Sequence, residues 1–245
     1  MAREPHQFDD MFVPVDAIER PLPSDIVLPP SRFFPPSTWT TRDGLLCIGG
    51  RLAPDWLLDA YAHAIFPWPM WEDEPIAWWS PDPRAIIELD GLHISRRLER
   101  TIRSGKFRVT RDTDFAGVIQ GCATSGDRTN NTWLTPAMIA AYCRMHALGH
   151  AHSIEVWLAD RLVGGTYGLA VSGLFAAESM FHFERDASKV ALAHLVTHLR
   201  TRGYQLLDVQ QWTPHTGRMG ATEISREDYL RRLATAIQQP VRFEA

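Results

Sequence analysis

Residues 164–189 read GGTYGLAVSGLFAAESMFHFERDASK, and the fold is decided in this stretch. Two apolar runs, 169–171 and 174–175, flank Ser172-Gly173, the signature of a tight hairpin turn between strands. After Phe183, Asp186-Ala187-Ser188 marks a helix start with a capping-type Asp or Ser. Leu192, Leu195, Val196 and Leu199 follow at i, i+3, i+4 and i+7, one face of a helix that Gly203 ends. Residues 205–210 read as a further strand. The order is therefore strand, strand, helix, strand, with polar residues planted on apolar elements. Glu178 sits in the apolar run 174–181, where a carboxylate is costly unless it finds a partner. Asp208 and Gln210 stand two apart, on one face of a strand that also carries Leu206, Leu207 and Val209.

Outward from this stretch, 153–158 and 161–163 make strands around the turn Ala159-Asp160, a spacing that predicts antiparallel hairpins. Thr135 opens a helix to residue 148, with Met138, Tyr142 and Met145 along it. Residues 123–132 form a polar loop that Trp133 closes. A short helix at 114–122, strands at 107–110 and 85–89, and a helix at 93–105 with Ile94, Leu98 and Ile102 inward complete this half. Pro54-Asp55 opens another helix, with Trp56, Leu57, Ala60, Tyr61 and Ala64 on its apolar side, and the sequence Phe66-Pro67-Trp68-Pro69 stops it. The element at 44–50 is short, apolar and closed by glycines. Residues 1–38 hold eight of the 17 prolines, which excludes a long helix or a central strand. An extended arm that wraps the core near Phe33-Phe34 is expected. A last amphipathic helix spans 225–237, and the chain shows no internal repeat.

The 245 residues suffice for one large domain or two small ones. No run approaches the ~18 apolar residues of a membrane span, and the N-terminus lacks the apolar centre of a secretory signal. Cys47, Cys122 and Cys143 are odd in number and widely spaced, which fits core positions in a reducing cytoplasm. Net charge is −4, without a global pull toward nucleic acid. The window 94–111 departs from that balance: seven basic residues against Glu99 alone give it +6 and leave −10 elsewhere.

His146, His150 and His152 have a metal-like spacing but no accompanying Glu in an H-E-x-x-H arrangement. No G-x-S-x-G elbow is present, and Ser179 and Ser188 have no evident histidine partner. Walker and dinucleotide glycine loops are both lacking. Five tryptophans fall within 56–79, most of them core material. Trp68, fixed between two prolines, is placed as a rigid loop aromatic suited to stacking on a nucleobase.

A set of motifs runs through the chain in order: G-L-L-x-I-G-G at 44–50, A-Y-x-x-x-I-F-P-W at 60–68, W-W-S-P-D-P-R at 78–84 and L-H-I-S-R at 92–96. T-W-L-T-P at 132–136, A-Y-x-R-x-H-x-L-G-H at 141–150 and H-S-I-E-V-W at 152–157 continue it. L-V-G-G-x-Y-G at 162–168, E-S-M-F at 178–181, A-S-K at 187–189 and L-x-D-x-Q at 206–210 complete it. From Gly44 to about Leu233 the chain resembles leucyl/phenylalanyl-tRNA–protein transferase, the bacterial aminoacyltransferase family of the N-degron pathway.

The resemblance implies an α+β fold: a small N-terminal domain and a C-terminal acetyltransferase-like domain with a mostly antiparallel mixed sheet flanked by helices. Boundaries are set at 1–38 for the arm, 39–81 for the small domain and 82–245 for the catalytic domain. It implies transfer of Leu or Phe, and Met less well, from aminoacyl-tRNA to proteins beginning with Arg or Lys, by a cytoplasmic monomer without cofactor, metal or membrane. By the same resemblance Trp68 and Trp133 hold the tRNA's 3′-terminal adenosine, and Asp208, Gln210 and Glu178 stand at the reaction centre. The resemblance puts Thr166 in the amino-acid pocket and the tRNA backbone along Arg96, Arg97 and Arg100, and the rest of the pocket is expected where the apolar faces of Phe175, Leu192, Leu195, Leu199 and Leu207 meet behind the site. Three departures stand out: Ala177 where the family usually has Gly, Arg51 in place of Asp, and Thr166 in place of Met or Leu. The competing readings are an acetyl-coenzyme A acetyltransferase, whose pyrophosphate turn needs glycines that 184–189 lack, and an RNA-binding module, which leaves Glu178, Asp208 and Gln210 without a role.

Overall fold

The computed structural model describes residues 11–14, 16–70, 75–126 and 132–244. Trp71 and the centre of the polar loop at 123–132 lie outside the described residues. By its internal packing the chain forms two units, residues 1–84 with 224–235, and residues 85–223 with 236–245.

The first unit is built on a four-stranded sheet. Strand β1 (Met11–Phe12) pairs with β2 (Leu45–Gly49), and helix α1 (Pro54–Ala62) follows. The segment read only as a helix stop is itself a strand: β3 (Phe66–Pro67) pairs antiparallel with β4 (Ala77–Trp79), so the sheet order is β1-β2-β4-β3. The arm docks by aromatic packing and carboxylate contacts. Phe33 stacks on Trp56 at 4.5 Å, and Phe34 meets Trp78 edge-on at 4.7 Å. Asp59 of α1 accepts from Ser31 Oγ at 2.6 Å and from the Phe33 amide. The dense prolines leave few backbone donors, so side chains of α1 secure the arm. Arg84 is buried between the rings of Phe66 and Tyr229 and donates to the Ala64 carbonyl at 3.1 Å.

The second unit begins with β5 (Arg84–Ile87), α2 (Arg96–Arg103), β6 (Arg108–Arg111), α3 (Phe115–Thr124) and α4 (Pro136–Ala147). It continues with β7 (Ala151–Leu158), β8 (Arg161–Val171), β9 (Leu174–His182), α5 (Ala187–Arg202), β10 (Leu206–Gln210), α6 (Pro214–Gly217) and β11 (Ala221–Ile224). Helix α7 (Arg226–Ala236) returns to the first unit for nearly all its length. The seven strands run β11-β5-β10-β9-β8-β7-β6. Pairing of β10 with β9 is parallel and the other registered pairs are antiparallel, which makes the sheet mixed and mostly antiparallel, as expected.

Helix α5 covers one face of this sheet. Leu192, Leu195, Val196 and Leu199 pack there with Phe175, Leu207 and Val209 in one core cluster. The chain reaches α5 differently from the sequence expectation. Asp186 stands at the N-cap with a left-handed backbone, φ 69°, and its side chain does not cap the helix. Its carboxylate instead takes Arg97 at 3.1 Å and Lys189 at 3.8 Å. Gly203 ends the helix in the left-handed conformation that favours glycine. The β8–β9 turn has the expected two residues, but Ser172 carries the positive φ of 52°. The inward stripe of α2 is also shorter than predicted: the helix starts at Arg96 behind a Ser95 cap, and Ile94 is 41% exposed. Cys47 and Cys122 are buried core residues, and burial pushes the Cys47 thiol up to about 12.

Candidate active site

Two strands of the second unit, β9 and β10, carry the polar residues singled out above, and two irregularities aim them. In the β8–β9 ladder Tyr167 pairs with Ser179 and Gly168 with Ala177, which leaves Glu178 as an extra residue in a bulge. In the β10–β5 ladder Asp208 pairs with Ile86 and Gln210 with Ala85, which leaves Val209 extra. Gln210 then takes φ 57°, a left-handed backbone uncommon outside glycine. Simple alternation along β10 is thus broken between the two residues. What joins them is a hydrogen bond: the Gln210 amide donates to Asp208 Oδ1 at 2.9 Å.

The side chains form a connected group. Gln210 Nε2 donates to Glu178 Oε1 at 2.9 Å, and the Tyr142 hydroxyl, from α4, donates to Glu178 Oε2 at 3.0 Å. Asp208 is fully buried, Gln210 is 9% exposed and Glu178 is half-buried. The carboxylate, costly in an apolar run, is therefore met by two donors. Because an ionised carboxylate only accepts, the Gln210 amide must turn its nitrogen to Glu178 and present its carbonyl oxygen elsewhere. Tyr142 was missed by sequence reasoning. It belongs to the stripe Met138–Tyr142–Met145 and is fully buried, so it reads as core.

Phe175, Leu192, Leu195, Leu199 and Leu207 are brought together in the α5 core, each at most 1% exposed. Thr166 stands in a cross-strand row with Ile154 and Met180, both of which pack against the same cluster. Its hydroxyl donates to the Ser179 carbonyl at 2.9 Å. The hydroxyl thus has an acceptor and leaves no polar atom stranded beside these apolar neighbours.

Trp68, in the first unit, has its amide bonded to the Ala77 carbonyl and its own carbonyl held by Trp79 Nε1, while the residue is 39% exposed. Trp133, in the second unit, is half-buried just before α4. On α2, Arg96, Arg97 and Arg100 lie on an exposed surface, and Arg97 reaches Asp186. Two of the three histidines, His146 and His152, have structural occupations. His146 bonds the Ala151 carbonyl at 2.8 Å and stacks on Phe115, and His152 bonds Asp112 at 2.7 Å. Among the described residues no group of three or more His, Cys, Asp or Glu is placed to hold a metal ion. One serine–histidine approach was not evident in the sequence: Ser188 Oγ lies 3.4 Å from His182 Nδ1, buried in the first turn of α5.

The family model described as leucyl/phenylalanyl-tRNA protein transferase matches residues 86–234, and the model of that family's N-terminal domain matches 50–82. The chain belongs to the leucyl/phenylalanyl-tRNA–protein transferase family. The transferase of Nitratidesulfovibrio vulgaris strain DP4 is 50% identical over 223 residues, covering 91% of this chain and 93% of the relative. That of Azoarcus sp. strain BH72 is 50% identical over 198 residues, 80% and 84% of the two chains. That of Xanthomonas axonopodis pv. citri is 46% identical over 226 residues, 90% of each. Among solved structures, an aminoglycoside acetyltransferase from a soil metagenome matches 45% of this chain and 80% of its own, at 10% identity and a TM-score of 0.36. The chain is an aminoacyltransferase by its family and α+β by its own elements, and no helix of the described residues is long and apolar enough to cross a membrane.

Proposed function

We propose that this transferase moves Leu or Phe, and Met less readily, from aminoacyl-tRNA to the N-terminal Arg or Lys of acceptor proteins, marking them in the cytoplasm for N-degron degradation. The observation that carries this reading is the linked group Asp208–Gln210–Glu178–Tyr142, assembled where bulges interrupt β9 and β10 and α4 brings in Tyr142. An aminoacyl ester is already activated. Attack by an amine needs no nucleophilic side chain, only a positioned amine, a place for its proton and support for the oxyanion. With Nε2 committed to Glu178, Gln210 offers Oε1 to an N–H of the attacking α-amine. Asp208 holds the Gln210 backbone in its left-handed conformation through Oδ1. The amine attacks the ester carbonyl, the tetrahedral intermediate collapses, and the 3′-hydroxyl of the terminal adenosine leaves with a proton. Trp133, in the same unit, is assigned to that adenosine.

An acetyltransferase reading is less well served by the residues. The start of α5, where such enzymes bind pyrophosphate through backbone N–H groups, carries the Asp186 carboxylate paired with Arg97. The test is incubation with charged leucyl-tRNA and two peptides that differ only in their first residue, Arg or Glu. Leucine on the Arg peptide alone is expected; leucine on neither refutes the reading.

The α2 surface is assigned to the tRNA backbone. Arg96→Ala, Arg97→Ala and Arg100→Ala together are expected to weaken tRNA binding and to flatten its salt dependence. The logarithmic slope should fall by about 0.9 for each duplex phosphate that is no longer neutralised. Filter binding at several salt concentrations reads both. An unchanged slope would place the tRNA elsewhere.

Thr166 is assigned to the pocket wall. A longer apolar side chain there fills space that a phenyl ring needs. Thr166→Met is therefore expected to lower the ratio of kcat/KM for Phe-tRNA over Leu-tRNA, within the roughly 10–200-fold that one or two methylenes can discriminate. A ratio unchanged or raised would remove Thr166 from the wall.

A further inference from the structure

After α7 the chain returns to the second unit and inserts one ring into its core. Phe243 is 2% exposed. Its ring stacks on His152 at 4.2 Å between centroids, meets His198 edge-on at 4.4 Å and lies 5.6 Å from Phe175 with the planes 30° apart. Side chains of α5 grip the backbone on either side. Arg202 donates Nε to the Arg242 carbonyl at 3.0 Å and Nη2 to the Glu244 carbonyl at 2.8 Å. His198 Nε2 donates to the Phe243 carbonyl at 2.8 Å, and Arg111 pairs with Glu244 at 3.8 Å.

A segment near a chain end is ordinarily poorly ordered unless something ties it down, and ordering it costs backbone entropy. Here three consecutive carbonyls are bonded to one helix face, and the ring they position touches Phe175. Phe175 stands opposite Leu207 in the parallel ladder, and Tyr204 flanks it at 6.3 Å. Interiors are close-packed, so a ring lodged behind a wall residue fixes how far that wall can retreat. Phe243 also lies beyond the span 86–234 matched by the family model.

We propose that Phe243 is a specificity-determining residue of this transferase, the backing of the amino-acid pocket that sets its depth by holding Phe175 in place. The inference rests on the pocket assignment made under the proposed function. With Phe243 present, the Phe175 ring cannot withdraw from an incoming side chain. Without it, Phe175 can move into the vacated space, and a larger side chain gains room. Phe243 is thus a positioning residue that acts through Phe175.

The test compares kcat/KM for Phe-tRNA and Leu-tRNA, with an Arg-initiated peptide, in the unmodified chain, Phe243→Ala, Phe243→Leu and Arg202→Gln. The Phe-to-Leu ratio is expected to rise about threefold to tenfold in Phe243→Ala, within the range a pocket wall can discriminate, and less in Phe243→Leu. Arg202→Gln is expected to shift it the same way, since it releases the Arg242 and Glu244 carbonyls without altering any ring. That variant also carries the test if Phe243→Ala does not fold. A purely structural role would lower both rates together and leave the ratio unmoved. Transfer by the unmodified chain with an unchanged ratio in every folded variant overturns this inference alone. No transfer by the unmodified chain overturns the functional reading, and this inference with it.

Discussion

Asp208→Asn is expected to lower kcat by about a hundredfold while the protein stays folded, the scale on which a misplaced reacting group costs rate. The side chain is fully buried, and its Oδ1 receives the Gln210 amide. Asn keeps the volume but replaces one acceptor oxygen by a donor NH2. Only one oxygen remains, and it keeps the Gln210 amide only in one of the two carboxamide orientations. The left-handed turn at Gln210 loses part of its support, and the carboxamide assigned to the amine is no longer held in place. KM for aminoacyl-tRNA is expected to change little, because the surface assigned to tRNA lies elsewhere. Steady-state kinetics together with a thermal melt separates the outcomes. A melting temperature several degrees lower with turnover per folded molecule intact would make Asp208 a packing residue.

The second large effect is expected at Gly168. A Cβ built there would stand 2.2 Å from the Ala176 carbonyl oxygen and 2.5 Å from the Phe175 ring, against backbone that cannot swing aside. Gly168 is also the β8 residue paired with Ala177, immediately beside the bulge that holds Glu178. Gly168→Ala is therefore expected to cost about 2–3 kcal/mol through overpacking, or roughly 5–10 °C in Tm for a chain of this size. It should also reduce kcat in the molecules that remain folded, since the ladder can relieve the clash only by shifting the bulge. Full stability in the alanine variant would mean that β8 and β9 do not approach as described. The partner glycine of this motif, Gly165, faces Val118 of α3 and the Ile154 carbonyl and serves helix approach instead.

The order strand, strand, helix, strand around residues 164–210 was readable because periodicity, glycine punctuation and the leucine stripe of α5 agree with one another. Asp208, Gln210 and Glu178 were readable as candidates because each is a polar residue on an apolar element, where an unpaired group is expensive, and the structure joins them by hydrogen bonds. Their relative geometry was not readable. Both bulges are set by pairing between strands distant in sequence, and nothing local in E-S-M-F or L-x-D-x-Q marks Glu178 or Val209 as the extra residue. Asp186 misled for a similar reason. A capping residue is recognised by sequence neighbours, but its carboxylate was claimed by Arg97, far away in the chain. Tyr142 was hidden because a tyrosine in a buried helical stripe has the same pattern whether its hydroxyl is idle or holds a carboxylate of the site. Phe243 was hidden because a lone aromatic near a chain end has no periodicity to read.

The most direct test of aminoacyl transfer offers both donors at once. Leucyl-tRNA and acetyl-coenzyme A are mixed in equal amounts with the protein and a peptide beginning with Arg, and the peptide is weighed by mass spectrometry after a single turnover. The expected product is a peptide heavier by one leucyl residue, formed by the unmodified chain and slowed by Gln210→Ala. An acetylated peptide, or leucyl transfer that proceeds at full rate without the Gln210 carboxamide, would contradict it.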